Sequence, residues 1–216
     1  MPERSLVTLT ALAALHRTEE MRLHFVGARN LGLPRHVLEE MILHIAYDAG
    51  WPCATNAGTV LNQVWKNTGI TGALATASSN RTNGELDMPP PDAAILAGMD
   101  LMRRLGLDSS TETDAGASTV ALADATVKHL FGTVWTRPGL ELPERILITL
   151  TALVALNREE AMHAQFGVAY RLGIPRRMLE EMILHVAHYA GWPCAISANR
   201  VLNEVWSEEE RNTARP

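Results

Sequence analysis

The sequence has few cysteines, few aromatic residues and no block of basic residues. It contains two cysteines in 216 residues, its aromatic content is 5%, and its net charge is −5. Two cysteines cannot build a disulfide-rich framework, and the absence of a basic patch argues against nucleic acid as a partner. What remains is an ordinary globular composition, with 47% hydrophobic and 20% charged residues.

A long hydrophobic run is also missing. The first apolar stretch, residues 6–15, contains two threonines and ends at His16 and Arg17. It is too short and too polar to span a membrane. An acid and a base, Glu3 and Arg4, directly precede it, and the start of the chain therefore does not resemble a signal peptide. We expect no membrane partner and a cytoplasmic location.

A duplicated segment dominates the chain. Residues 3–65 align without a gap with residues 144–206, and about 39 of the 63 aligned positions are identical. Residue n of copy one thus corresponds to residue n + 141 of copy two. Each copy is long enough for three or four helices but is too small to bury its apolar faces alone. We therefore expect the two copies to pack together around a pseudo-twofold axis.

The hydrophobic periodicity predicts an all-α fold without strands. Glycine and proline signals at residues 31–34 and 50–52 separate the helices of copy one, and copy two repeats them. The predicted spans are helices at residues 5–15, 18–30, 35–49, after Pro52, 92–105 and 120–134, a weak helix at 73–77 and a polar loop at 106–118. The predicted domains are a first repeat at 1–66, a linker at 67–91, and a second repeat with leader helices at 92–216. Copy one lacks such a leader, which is absent, removed or supplied by a partner.

The most similar part of the copies carries an acid, an imidazole and a thiol. It reads LEEMILHIAYDAGWPCA at residues 38–54 and LEEMILHVAHYAGWPCA at residues 179–195. Glu40 and His44 lie one helical turn apart on one face, and Glu181 and His185 repeat this relation. A carboxylate beside an imidazole can fix its tautomer and raise its basicity. These four residues are the predicted catalytic groups.

A helix break follows this acid–imidazole pair in both copies, at Gly-Trp-Pro-Cys. The break predicts that Trp51 and Cys53, and likewise Trp192 and Cys194, turn toward a pocket. A small buried core residue is the alternative for each cysteine.

Copy two contains a series of motifs: WTRPGL at residues 135–140, ERILITL at 144–150, LGIP at 172–175, Glu181-x3-His185 and YAGWP at 189–193. Together they resemble the carboxymuconolactone decarboxylase family. Copy one matches from Glu3 onward. The resemblance implies an alkylhydroperoxidase-like helical fold in a homo-oligomer, either a trimer with pseudo-sixfold character or a dimer.

The resemblance also implies a cofactor-free decarboxylase that acts on a small cyclic or lactone carboxylic acid of the 4-carboxymuconolactone type. Neither a metal nor an organic cofactor is required, because the unsaturated lactone can accept the electrons itself. In this reading His44 and His185 transfer protons, and the glutamates one turn earlier orient them.

Further family positions give candidate substrate-binding residues that differ between the copies. Arg4 and Arg145 match the family's arginine near the start of the domain and can pair with a carboxylate, a structural arginine being the alternative. The other candidates are His24, replaced by Gln165 in copy two, Tyr189, replaced by Asp48 in copy one, and His188. The two sites are therefore unequal. Either one has specialised, or a composite pocket draws residues from both copies.

Two alternative functions stay open on the sequence. Peroxidase relatives use Cys-x-x-Cys, but glycine replaces the first cysteine in each copy. A thiol cycle would then need Cys53 and Cys194 to approach within about 7 Å between α-carbons. The other alternative is a non-catalytic binding protein on the same fold. A metal site is not predicted, since the pair His185-x2-His188 occurs in copy two alone.

Overall fold

A computed structural model describes residues 2–66, 90–107 and 120–213. Within these residues the regular secondary structure is helical and no strand occurs, so the all-α prediction is confirmed. No described helix is long and apolar enough to cross a bilayer. The predicted weak helix at residues 73–77, most of the linker and most of the polar loop lie outside the described residues.

The helix bounds follow the predicted spans to within a few residues. They are α1 Pro2–Ala14, α2 Thr18–Asn30, α3 Arg35–Asp48, α4 Trp51–Lys66, α5 Pro91–Arg104, α6 Val120–Ala125, a π-helix Thr126–Val134, α7 Leu142–Ala155, α8 Glu159–Arg171, α9 Arg176–Ala190 and α10 Trp192–Thr213. The predicted break after each histidine-bearing helix is present. Gly50 and Gly191 lie there with φ of 93° and 90°, a region that glycine enters without a Cβ penalty.

The chain forms two compact units. The first comprises Met1–Ala57 and Pro138–Pro216, and the second comprises Gly58–Arg137. The first unit therefore combines the histidine-bearing parts of both copies. The predicted domain boundaries at residues 66 and 91 stay a prediction.

The core of the first unit lies along α1 and α7, the first helices of the two copies. Leu9, Leu12, Ile146 and Leu150 are each at most 2% exposed. α1 packs against α7 and against α9, while α7 packs against α3. Each first helix thus meets the third helix of the other copy. This reciprocal packing is the pseudo-twofold arrangement that the duplication predicted.

In the second unit, α5 crosses the π-helix at two glycines. A Cβ added at Gly98 would overlap the carbonyl oxygen of Val127, and one added at Gly132 would overlap that of Ala94. Glycine is what permits the two backbones to approach this closely. The π-helix occupies most of the span that the sequence predicted as one ordinary helix, because a hydrophobic pattern this short does not report helix pitch.

Candidate active site

Each histidine of the duplicated stretch meets a threonine of the other copy. His185 Nε2, on α9, lies 2.7 Å from Thr8 Oγ1 on α1. His44 Nε2, on α3, lies 2.9 Å from Thr149 Oγ1 on α7. The two threonines occupy equivalent positions. Pseudo-twofold packing therefore builds two sites, each from both copies, which is one of the two arrangements that the unequal copies suggested.

The first site, the His44 cluster, consists of His44, Asp48, Arg145 and Thr149. His44 and Arg145 are each 1% exposed. Arg145 Nη1 donates to His44 Nδ1 over 3.4 Å, and Thr149 Oγ1 donates to Asp48 Oδ2 over 2.9 Å. Because Nε2 of His44 already faces Thr149, both ring nitrogens have partners inside the protein.

Burial dominates the electrostatics of the His44 cluster. It lowers the pKa of His44 to about 3, and the positive charge of Arg145 acts in the same direction. Burial also raises the pKa of Asp48 to about 6, opposed by the hydrogen bond from Thr149. His44 is therefore neutral at neutral pH and poorly placed to exchange a proton with a substrate.

The loop before α7 lies against α3 beside this closed cluster. A Cβ added at Gly139, whose φ is +102°, would lie 3.0 Å from Glu40 Cγ and 3.7 Å from His36 Cδ2. The equivalents of His36 and Glu40 in copy two are Arg177 and Glu181, which line a cavity. The backbone of this loop thus lies against Glu40 of α3, whereas Glu181 of α9 lines a cavity.

The second site, the His185 cluster, consists of Thr8, His24, His185 and Tyr189. Thr8 is 3% exposed and donates to the Tyr189 hydroxyl oxygen over 3.4 Å. The centroid of the Tyr189 ring lies 5.5 Å from that of His185 and 6.0 Å from that of His24. Two members come from copy one and two from copy two. The structure thus brings together three of the predicted site residues, His24, His185 and Tyr189.

A cavity of about 630 Å³ opens beside the His185 cluster. This volume lies within the range of about 300–1,000 Å³ that is usual for small-molecule sites. Val7, Leu147 and methionines give it an apolar wall, and its polar lining is Glu3, Arg4, Arg177, Glu181, His185 and His188. Arg4 and Arg177 offer two guanidinium groups that can pair with a carboxylate, and Glu3 and Glu181 bring two negative charges to the same lining.

The pKa of His185 is lowered, first by burial and then by electrostatic repulsion from Arg4, His188 and His24. The neutral imidazole is therefore favoured. A bound anion would offset this repulsion and favour the imidazolium form.

The two predicted carboxylate-binding arginines lie in different surroundings. Arg4 is exposed and lines the cavity, whereas Arg145 is buried against His44. The burial of Arg145 favours the structural role that the sequence left as an alternative. The carboxylate-binding prediction is retained for Arg4.

The two predicted orienting glutamates also differ. Glu181 is exposed at the cavity, and Glu40 is half-buried against the Gly139 loop. Among the described contacts, the hydrogen bond on the His185 ring comes from Thr8. Thr8 therefore carries the orienting contact that the helical spacing suggested for Glu181.

The two tryptophans predicted for the pocket lie on the surface. Trp51 and Trp192 are each 58% exposed, and their ring centroids lie 6.1 Å from those of Tyr47 and His188. Neither tryptophan lines the cavity, whereas His188 does. His188 Nδ1 also lies 3.0 Å from the carbonyl oxygen of Leu184.

Both cysteines are free thiols outside the lining of the cavity. Cys53 is buried, with Sγ 3.0 Å from His16 Nε2, while Cys194 is half-buried. Burial raises the pKa of the Cys53 thiol, which disfavours the thiolate that peroxidase chemistry needs. Across the described ranges, no three His, Cys, Asp or Glu side chains are placed to hold a metal ion.

Thr8, Thr149 and Arg177 are among the residues of these sites that were not predicted from the sequence. Thr8 and Thr149 carry a signal, since each is a polar residue retained in both copies within an otherwise apolar helix. Arg177 could have been noticed because copy two departs there from His36 of copy one. No local pattern, however, indicates which residue each of them contacts.

The family model described as the carboxymuconolactone decarboxylase family matches residues 1–63 and 121–204. The chain belongs to this family. The two matched regions contain both histidine clusters and confirm the predicted tandem arrangement.

Two relatives have names that specify a decarboxylase. The 4-carboxymuconolactone decarboxylase of Acinetobacter baylyi is 36% identical over 81 residues, which are 38% of this chain and 60% of that protein. The nitrosuccinic acid decarboxylase npaB of Metarhizium robertsii is 28% identical over 121 residues, 56% of this chain and 84% of that protein. The match thus spans three fifths of the length of the Acinetobacter relative.

Proposed function

We propose that this protein is a decarboxylase-like lyase acting on a small cyclic or lactone carboxylic acid of the 4-carboxymuconolactone type. The observation that carries the proposal is the cavity beside the His185 cluster, where an exposed arginine and a neutral imidazole line the same space. The decarboxylase names of both relatives support the reaction class.

In this proposal Arg4 binds the substrate through a carboxylate. A guanidinium group donates two parallel hydrogen bonds to a carboxylate and keeps its charge at any working pH. Arg4 comes from copy one, while His185 comes from copy two. Binding would therefore place the substrate across the interface between the copies.

The chemical step breaks the bond between the carboxylate carbon and its neighbour and releases carbon dioxide. The electron pair left on the substrate passes into the conjugated lactone carbonyl, so neither a metal nor an organic cofactor is part of the proposal. One proton is then added to carbon. His185 delivers it after taking it up from solvent, since the substrate's negative charge favours the imidazolium form.

The test is to incubate the protein with 4-carboxymuconolactone and to follow both substrate loss and carbon dioxide release. We expect turnover by the wild-type chain and a fall in kcat of about 10²- to 10⁴-fold in His185→Gln. Arg4→Met should raise KM, and Arg4→Lys should restore part of the binding.

The matched control is His44→Gln, the same change at the equivalent position of the closed cluster. It should keep kcat and KM within a few-fold of wild type at a temperature where the variant is folded. Equal losses in His44→Gln and His185→Gln would overturn the assignment of the site. Binding of the acid without turnover would favour the non-catalytic alternative.

A further inference from the structure

We propose that Thr8 is a positioning residue that holds His185 in the Nε2–H tautomer and leaves Nδ1 as the atom that exchanges a proton with the substrate. The catalytic consequence rests on the proposed function, whereas the tautomer assignment does not.

The Thr8 hydroxyl has a single hydrogen, which it can give to one acceptor at a time. A threonine hydroxyl has one hydrogen to donate and two lone pairs to accept with. Thr8 donates to the Tyr189 oxygen over 3.4 Å and lies 2.7 Å from His185 Nε2. If the hydrogen goes to Tyr189, the short contact to the ring requires Nε2 to carry a hydrogen and donate it. Thr8 is 3% exposed, so water does not readily replace either partner.

In the His44 cluster, the equivalent hydrogen bond also runs from the histidine Nε2 to the threonine oxygen. An ionised Asp48 only accepts hydrogen bonds, so Thr149 donates to it over 2.9 Å. Thr149 must then accept from His44 Nε2, 2.9 Å away. His44 Nδ1 is left as an acceptor, and Arg145, which only donates, lies 3.4 Å from it. Three contacts thus agree on the Nε2–H tautomer.

The His185 cluster differs from the His44 cluster in two ways that leave Nδ1 of His185 without a protein partner among the described contacts. Arg4, the equivalent of Arg145, lines the cavity instead of being buried on the imidazole. Tyr189 replaces Asp48 and gives the threonine a neutral partner. The hydrogen-bond partner of the His185 ring in the described part of the chain is Thr8 alone, at Nε2. Nδ1 is therefore the nitrogen left for a ligand in the cavity that His185 lines.

The Nε2–H tautomer lets the His185 ring gain and lose a proton at Nδ1 without breaking its hydrogen bond to Thr8. Nε2 carries a hydrogen in the neutral Nε2–H form and in the imidazolium form, so its bond to Thr8 persists throughout the cycle. Only Nδ1 changes, taking a proton from solvent and giving it to the carbon that has lost carbon dioxide. With the opposite tautomer, the Thr8 hydroxyl would have to reorient in every turnover.

The direct test is ¹⁵N NMR of the imidazole rings in the ligand-free protein, with His185→Gln used to assign the signals. We expect His185 to show a protonated Nε2 and an unprotonated Nδ1 in the wild-type protein. Thr8→Val should shift the ring toward a mixture of tautomers. A dominant Nδ1–H tautomer in the wild-type protein would overturn the proposal, whether or not the protein turns over 4-carboxymuconolactone.

The kinetic test compares Thr8→Val and Thr8→Ser with the same changes at Thr149. Thr8→Val should lower kcat about 10- to 100-fold, a fraction of a full general-acid contribution. KM should change little, because Thr8 does not line the cavity. Thr8→Ser keeps a hydroxyl and should stay within about threefold of wild type.

Thr149→Val is the matched control, since it removes the equivalent hydroxyl from the closed cluster. It should reduce stability and leave kcat within a few-fold of wild type. Equal kcat losses in Thr8→Val and Thr149→Val, or failure of Thr8→Ser to restore the rate, would contradict a positioning role for Thr8. An inactive wild-type protein would refute the proposed reaction, while the NMR result would still decide the tautomer.

Discussion

At the residue scale, the two equivalent histidines of the repeated stretch lie in different chemical environments. His44 is buried, bonded at both ring nitrogens, and has a strongly lowered pKa. His185 is half-buried, bonded at one nitrogen, and lines a cavity. The six residues before each histidine are identical, at 38–43 and 179–184. The difference therefore comes from the contacts that each ring makes with the other copy.

The His44 cluster predicts opposite pH effects on stability for two of its members. The pKa of His44 is lower in the folded protein than its ordinary value of 6.5. As the pH falls below 7, the unfolded chain therefore binds that proton first and the folded state loses stability. The pKa of Asp48 is raised from 3.8 to about 6. There the folded state binds the proton first and gains stability.

We expect single variants to reveal these two contributions separately when stability is compared at pH 7 and pH 5. Relative to wild type, His44→Gln should lose less stability on acidification, by about 2 kcal/mol, and Asp48→Asn should lose more, by about 1 kcal/mol. Urea unfolding at the two pH values measures both. Shifts of the same sign in the two variants would contradict the assigned protonation states.

At the element scale, α5 and the π-helix of the second unit cross with their backbones in direct contact. Gly98 on α5 and Gly132 on the π-helix each leave room for a carbonyl oxygen of the facing helix. An added methyl group has no space there, and the obstacle is backbone rather than a flexible side chain. The two helices would have to move apart to accept it.

Gly98→Ala and Gly132→Ala should therefore each destabilise the protein by about 1–3 kcal/mol or more, measured by chemical or thermal unfolding. Gly27→Ala is the matched control, since Gly27 is also helical but an added Cβ would meet nothing within 4 Å. It should stabilise by roughly 0.5–1 kcal/mol through reduced freedom of the unfolded chain. A neutral Gly98→Ala would show that the crossing is looser than described.

At the scale of the whole molecule, the two copies form one histidine cluster beside a cavity and one closed cluster. The exchange of contacts between α1 and α9, and between α7 and α3, makes both sites dependent on both copies. The Gly139 loop lies beside the closed cluster, and the cavity lies beside the open site. The homo-oligomer that the family resemblance implied, a trimer or a dimer, stays a prediction.

This asymmetry predicts one substrate per chain rather than one per repeat. Isothermal titration of the slow variant His185→Gln with 4-carboxymuconolactone should give a stoichiometry close to one, because Arg4 lines a cavity while Arg145 is buried. Arg4→Met in the same background should weaken the binding. Two equivalent sites per chain would show that the His44 cluster opens to ligands.

Much of the fold and part of the site could be read from the sequence because they depend on local spacing. An apolar period of three to four residues specifies a helix wherever it occurs, and glycine with proline ends it. Direct alignment revealed the duplication, and the motifs revealed the family. The reactive candidates His24, His185 and Tyr189 could be named in the same way, and so could Arg4.

The sequence by itself therefore determined the helices, the repeat, the family and the residue types that can do the chemistry. Tertiary structure alone decided which histidine is open, which arginine is buried, and that Thr8 rather than Glu181 contacts the imidazole. The reason is physical. Helical periodicity is set by neighbours one turn apart, whereas burial, pKa and hydrogen-bond direction are set by partners from the other copy, more than a hundred residues away along the chain.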